Sequence, residues 1–200
     1  MATLFKLTTS IFGDQGQSSQ LVGRFATAWL AKNPGATVIS RDLGLNPPHH
    51  LEAPAFLASR VPAADRTPAQ NKLLEYSDAL IAELRQADVI VLGLPMYNFG
   101  ISSGLKAYFD HIARVGVTFM YTPNGPKGLL PEGKKCYILA TRGGIYAGTN
   151  RDTQTGHVTN FLSLIGISDL QFIYAEGLNI PEKKAAAIEG AGAQLAQWLS

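Results

Sequence analysis

One cysteine in 200 residues is too few for a disulfide framework. Cys136 stands in an apolar run just after Lys134 and Lys135, which reads as a buried thiol and not as a nucleophile. No apolar run approaches the roughly 20 residues of a membrane span. The N-terminus also lacks a basic segment leading into an apolar stretch and a small-residue cleavage site, so the expectation is a cytoplasmic protein, neither secreted nor inserted. Charge of one sign is not in excess: 17 Lys and Arg against 15 Asp and Glu leave +2, which gives no basis for a nucleic acid or an anionic membrane as partner. The four histidines have no metal-ligand spacing, and no structural metal is expected. His49 and His50 read as solvated loop residues, and His111, beside Asp110, as a polar residue on a helix face. The G-x-S-x-G elbow of the serine hydrolases is missing, as is the GxGxxG turn of nicotinamide-binding Rossmann domains. Residues 128–135 nearly fit a phosphate loop, but Lys135 replaces the magnesium-binding hydroxyl, Pro131 interrupts the loop, and the segment leads into a strand.

What is present is a repeating strand and helix pattern in a chain that is 46% apolar, enough for the core of one domain spanning 1–200. Residues 3–8 and 37–41 read as short strands. The runs 89–94 and 136–140 are near-continuously apolar, as in a parallel sheet covered on both faces, and 170–174 is a fifth strand. Helical spacing links Leu21, Phe25 and Trp29; Leu73, Ser77, Leu80, Ile81 and Leu84; Leu105, Tyr108, Phe109 and Ile112; and Ile188, Gly192, Leu195 and Leu199. Thr67-Pro68 and Pro181 supply helix starts. Two connections are long for such a domain. Residues 46–66 are rich in proline and alanine, and 116–133 carry Phe119 and Tyr121 among turn residues; each serves a site or contact, or is a surface loop.

Three segments fall where an open α/β sheet binds ligands, beyond the carboxyl ends of its strands. Thr9-Ser10-Ile11-Phe12-Gly13-Asp14-Gln15-Gly16-Gln17-Ser18-Ser19-Gln20 leads from the first strand into a helix. It is either a plain helix cap or an anion cradle built from helix amides and hydroxyls. Gly93-Leu94-Pro95-Met96-Tyr97-Asn98-Phe99-Gly100-Ile101-Ser102 offers apolar and aromatic surface with backbone donors for a flat ring; the alternative is a hydrophobic plug. Thr141-Arg142-Gly143-Gly144-Ile145-Tyr146 is a turn or a place of close backbone approach. Agreement in position favours one crevice shared by all three.

Together these loops resemble the FMN-dependent NADH azoreductases, whose members also reduce quinones, and the resemblance runs over essentially the whole chain. Pro95-Met96-Tyr97-Asn98-Phe99 and Thr141-Arg142-Gly143-Gly144 are its most distinctive pieces. It implies an α/β fold: a flavodoxin-like three-layer sandwich on a five-stranded parallel sheet of order 2-1-3-4-5. It also implies a homodimer, noncovalent FMN, NADH as donor with NADPH as the alternative, and quinones and aromatic azo compounds as acceptors in a ping-pong cycle. By the same resemblance Ser10, Gly16, Gln17 and Ser18 would hold phosphate and ribityl. Pro95, Met96, Tyr97, Asn98 and Phe99 would flank the flavin, and Thr141, Arg142, Gly143 and Gly144 would hold its pyrimidine side. Arg60, Phe119, Tyr121, Tyr146 and Phe161 would form the substrate entrance or dimer contact. No protein acid or base is then required for the first half-reaction. Relatives commonly carry Ser at the positions of Gly16 and Thr141. The other reading is a flavodoxin-like FMN electron-transfer protein serving a protein partner.

Overall fold

A computed structural model describes residues 1–199. Five parallel strands form the central sheet: β1 (Thr3–Thr8), β2 (Thr37–Asp42), β3 (Val89–Pro95), β6 (Lys135–Thr141) and β7 (Asp169–Ala175). Their order is β2-β1-β3-β6-β7, which is the expected 2-1-3-4-5 once a hairpin outside the sheet is left uncounted. That hairpin pairs β4 (Phe119–Thr122) with β5 (Gly125–Gly128) and occupies the second long connection.

Alternation along each strand sends neighbouring side chains to opposite layers. Leu4, Val91, Leu139 and Ile173 face α1 (Gln17–Lys32) and α6 (Pro181–Trp198), packing with Val22, Phe25, Trp29 and Leu195. Phe5, Ile90, Leu92 and Ile138 face the other layer. There α3 (Pro68–Gln86), α4 (Ser103–Ile112) and α5 (Thr153–Leu164) contribute Leu80, Ile81, Leu105, Tyr108, Phe109, Val158 and Leu162. Each well-buried Leu, Ile or Phe in these layers contributes about 1.5–3 kcal/mol. Thr67 and Gln70 form a reciprocal capping box with Pro68 in the first turn of α3, and Pro181 opens α6. Cys136 is buried, and burial pushes its thiol pKa up, so it is a core side chain with little thiolate to react.

The structure departs from the periodicity in four places. Helix α5 carries Gln154 at a buried position in line with Val158 and Leu162, and this polar residue breaks the apolar stripe that would mark a helix. The 46–66 connection contains the short helix α2 (Ala53–Ser59), whose buried face is only Ala55 and Ala58. Leu73 is 45% exposed and Leu74 takes the inward position. His111 is not a polar face residue: it is 3% exposed, its ring packs edge-on against those of His49 and Tyr76, and its Nε2 meets the His49 carbonyl at 2.9 Å.

Burial lowers the pKa of His111, with a smaller opposing effect from the His49 carbonyl. A lowered folded value means that the unfolded chain takes the proton first, so stability is lost as pH falls from the ordinary 6.5 toward the folded value. His111→Gln keeps a donor for His49 and removes the titration. Urea unfolding at pH 8 and pH 6 should show a smaller acid loss in the variant, by at most about 1.4 kcal/mol per pH unit. Equal losses in both proteins would mean that His111 is not the group responsible.

Candidate cofactor cleft

The three loops do converge. A cleft of about 330 Å³ at the carboxyl edge of the sheet is lined by Ser10, Phe12, Gly16, Gln17, Pro95, Met96, Tyr97, Thr141, Arg142, Gly143, Leu178, Asn179 and Lys184. A neighbouring hollow of about 270 Å³ shares Met96, Gly143 and Asn179 with it and adds Asn98, Phe99, Gly144 and Tyr146. The first lies at the lower end of the range of small-ligand sites, roughly 300–1,000 Å³, and the second extends it.

At one end, α1 begins at Gly16 without a side-chain cap, so its first amides have no intrahelical acceptor. Ser10 Oγ accepts from the Phe12 N–H and shares a hydrogen bond of 3.2 Å with Tyr97 Oη, which also accepts from the Ile11 N–H. Tyr97 thus ties the second loop to the first. A Cβ on Gly16 would fall 2.5 Å from Ser10 Cβ, so the Ser10 side chain fills the space that a larger residue at 16 would need. Ser18 and Ser19 are buried in the first turn and their hydroxyls have no protein partner.

In the middle, Tyr97 and Gly100 exchange backbone hydrogen bonds of 3.0 and 2.8 Å around Asn98 and Phe99, both with positive φ (49° and 60°). This is the geometry of a tight two-residue turn, which Asn tolerates and which costs Phe about 1–2 kcal/mol. Gln154 holds it from below, donating to the Pro95 and Gly100 carbonyls at 2.9 and 3.0 Å, and Thr153 Oγ1 donates to the Phe99 carbonyl. The Phe99 ring meets Tyr146 edge-on at 5.3 Å.

The third wall rests on a buried cation. Arg142 lines the cleft with its main chain, while its fully buried guanidinium turns beneath. There it bonds Asp152 Oδ1 (2.7 Å), Glu176 Oε1 (3.1 Å) and Thr155 Oγ1 (3.1 Å) and lies 4.9 Å from the centre of the Tyr174 ring. Glu176 also accepts from the Tyr146 and Ala147 amides. The carbonyls of Gly143 and Gly144 are taken by the amides of Asn179 and Gly177, and no protein acceptor is found for either glycine's own N–H among the described residues. Burial works to raise the pKa of Asp152, but hydrogen bonds from Arg142 and Thr155 outweigh it and hold the carboxyl below its ordinary value.

Of the entrance residues, only Tyr146 reaches this cleft. Arg60 lines a separate pocket of about 340 Å³ with Phe56, Arg66 and Val115. Phe119 and Tyr121 belong to the hairpin, and Phe161 stacks on Phe109 at 3.9 Å. Sequence reasoning missed Phe12, Gln154, Asp152, Glu176, Leu178, Asn179 and Lys184. For the last four the available signal was position, since they come after β7 as the other loops come after their strands.

A family model described as a flavodoxin-like fold matches residues 2–199. An FMN-dependent NADH:quinone oxidoreductase of Cellvibrio japonicus (strain Ueda107) is 53% identical over 186 residues, 93% of each chain. The chain belongs to the flavodoxin-like FMN-dependent NADH:quinone oxidoreductase and azoreductase family. Within it, the FMN-dependent NADH:quinone oxidoreductase 6 of Burkholderia lata is 48% identical over 192 residues, 96% of each chain. A solved azoreductase from Bacillus anthracis str. Sterne superposes with a TM-score of 0.89 at 25% identity, covering 100% of this chain and 99% of that one. The cleft fits the family's flavin in kind: the Ser10 hydroxyl and uncapped helix amides stand at one end, with the unpartnered hydroxyls of Ser18 and Ser19 buried in the turn behind the lining, and apolar, aromatic and free-amide surface stands at the other.

Arg142→Met leaves Asp152 and Glu176 as buried carboxylates without their cation. Urea unfolding should show a loss of about 3–5 kcal/mol, with faster amide exchange at Tyr146 and Ala147. A loss below about 1 kcal/mol would remove Arg142 as the anchor of this wall.

Proposed function

We propose that the chain is an FMN-dependent NADH:quinone oxidoreductase that also reduces aromatic azo compounds. The observation that carries this reading is the convergence of three loops, from β1, β3 and β6, on a cleft with anion-binding groups at one end and flat apolar surface at the other. When bound there, FMN supplies the hydride chemistry between donor and acceptor that no side chain in the cleft provides.

The protein's part is to bind and orient. Ser10, Gly16, Gln17 and Ser18 present hydroxyls and helix amides to the phosphate and ribityl chain. Pro95, Met96, Tyr97, Asn98 and Phe99 would lie along the ring, and Thr141 with the main chain of Arg142, Gly143 and Gly144 would meet its pyrimidine edge. Free N–H groups on Gly143 and Gly144 would stabilise negative charge at that edge. Tyr146 and Phe99 line the hollow that NADH, or NADPH as the alternative donor, and then the acceptor would enter, and use of one space by both favours a ping-pong order. A quinone takes one hydride and a proton; complete cleavage of an azo bond takes four electrons and therefore two rounds. Quinones, as planar electron-poor rings, are the preferred acceptors.

A homodimer completes this reading. Phe56 and Val115 share one pocket with Arg60, and Phe56, Leu57, Val115, Met120 and Tyr121 are all at least 42% exposed. Covering them with a second copy would let the exposed Arg60 and Tyr121 approach a partner's cleft, while Phe119 and Phe161 support the surface from beneath. Among the described residues no helix is long and apolar enough to cross a membrane. Dependence on the NADH pool supports a cytoplasmic setting.

The test is an anaerobic visible spectrum of the FMN-reconstituted protein before and after NADH, then after benzoquinone. NADH should bleach the flavin band directly to the two-electron-reduced form, and quinone should restore it. Bound flavin that ignores NADH would sink the NADH-dependent assignment.

A further inference from the structure

The loop that would face the cofactor phosphate has no cation of its own. Between Thr9 and Gln20 the only charged side chain is Asp14, whose sign is wrong for the task. The first amides and the dipole of α1 contribute about half a positive charge, against roughly two negative charges on a phosphate group. The guanidinium of Arg142, whose main chain lines the cleft, is turned away and neutralised by Asp152 and Glu176.

Lys184 stands on the opposite lip. It belongs to the first turns of α6, is exposed, and lines the same cleft as Gly16 and Gln17. None of the ion pairs among the described residues uses it. Its level relative to α1 is set by helix packing. Both helices come after strands of one parallel sheet, so they run in the same direction, and they meet where a Cβ on Gly192 would lie 3.8 Å from Arg24 Nη1. An equal number of residues back along each helix leads to Lys184 on α6 and Gly16 on α1. The ammonium, on a long flexible stem and in a shared lining with Gly16 and Gln17, is thereby within reach of the uncapped start of α1.

We propose that Lys184 is the counter-charge of the cofactor phosphate, reaching from α6 across the cleft to the first turn of α1 and giving this chain its preference for a phosphorylated flavin over the bare one. The proposal rests on the FMN reading above. Lys184 acts as a point charge in partial contact with water, so its contribution weakens with salt.

The experiment titrates the apo form of the wild type, Lys184→Gln and Lys184→Arg with FMN and with riboflavin, following flavin fluorescence at low and high salt. Lys184→Gln should weaken FMN about three- to tenfold, leave riboflavin unchanged, and reduce the salt dependence of FMN binding; Lys184→Arg should stay near the wild type. Equal weakening of both flavins would make Lys184 a packing or ring contact, and no weakening would leave it without a role; either overturns the proposal while the FMN reading stands. A wild type that binds neither flavin overturns the FMN reading and this proposal together.

Discussion

The cleft depends above all on one buried guanidinium. Arg142 leaves β6 at the point where the chain turns over the sheet edge, and its side chain joins the connection after β6 to the loop after β7 through Asp152 and Glu176. A buried cation with a single carboxylate would regain little of the hydration it loses. Here two carboxylates, a threonine hydroxyl and the face of Tyr174 surround it. Glu176 then uses the same oxygen to hold the Tyr146 and Ala147 amides. The ion-pair cluster below the wall, in which only the Arg142 Nε lacks a protein partner among the described residues, thereby fixes the segment on which the glycine pair keeps unused N–H groups.

The same division recurs in the middle loop. Two consecutive non-glycine residues at positive φ do not persist unless neighbours over-determine them. Gln154 and Thr153 do this from α5, and Tyr97 does it from within the loop by fastening its hydroxyl to Ser10 and Ile11. Three loops from three strands are thus cross-tied, the first to the second by Tyr97 and the second to the helix after the third by Gln154. The strain at Phe99 is offset by bonds to its flanks, and its ring remains available at the cleft mouth.

The parallel sheet was legible because its strands are continuous apolar runs, and the helix starts because Thr67-Pro68 and Pro181 have few other uses. The three loops were legible from position, since strand ends fix where an open sheet binds. What escaped was polar burial. Gln154, His111 and the Arg142 guanidinium are inside for reasons of hydrogen bonding and charge, and a pattern of apolar spacing counts each as a gap or a surface residue. Helix α5 was hidden by Gln154 and α2 by its alanines, so the element that braces the cleft from below was one of the two that periodicity did not show. Tertiary partners such as Glu176 for Arg142 lie too far apart in sequence for spacing to pair them.

These buried polar groups also decide what kind of site the edge can be. Arg142, Asp152, Glu176 and Gln154 are strong functional groups within reach of the cleft, yet each is committed to a partner in the wall. A hydrolase would need at least one acid, base or nucleophile left free and aimed into the opening. What faces the opening instead is amide N–H, hydroxyl and aromatic carbon, with Lys184 as the uncommitted charge at the rim. Such a surface can hold a phosphate, fix a flat ring and stabilise charge at its edge. Hydride transfer is the chemistry of the family's flavin and not of any side chain, and the fold commits its buried polar residues to keeping the surroundings of that cofactor in one geometry.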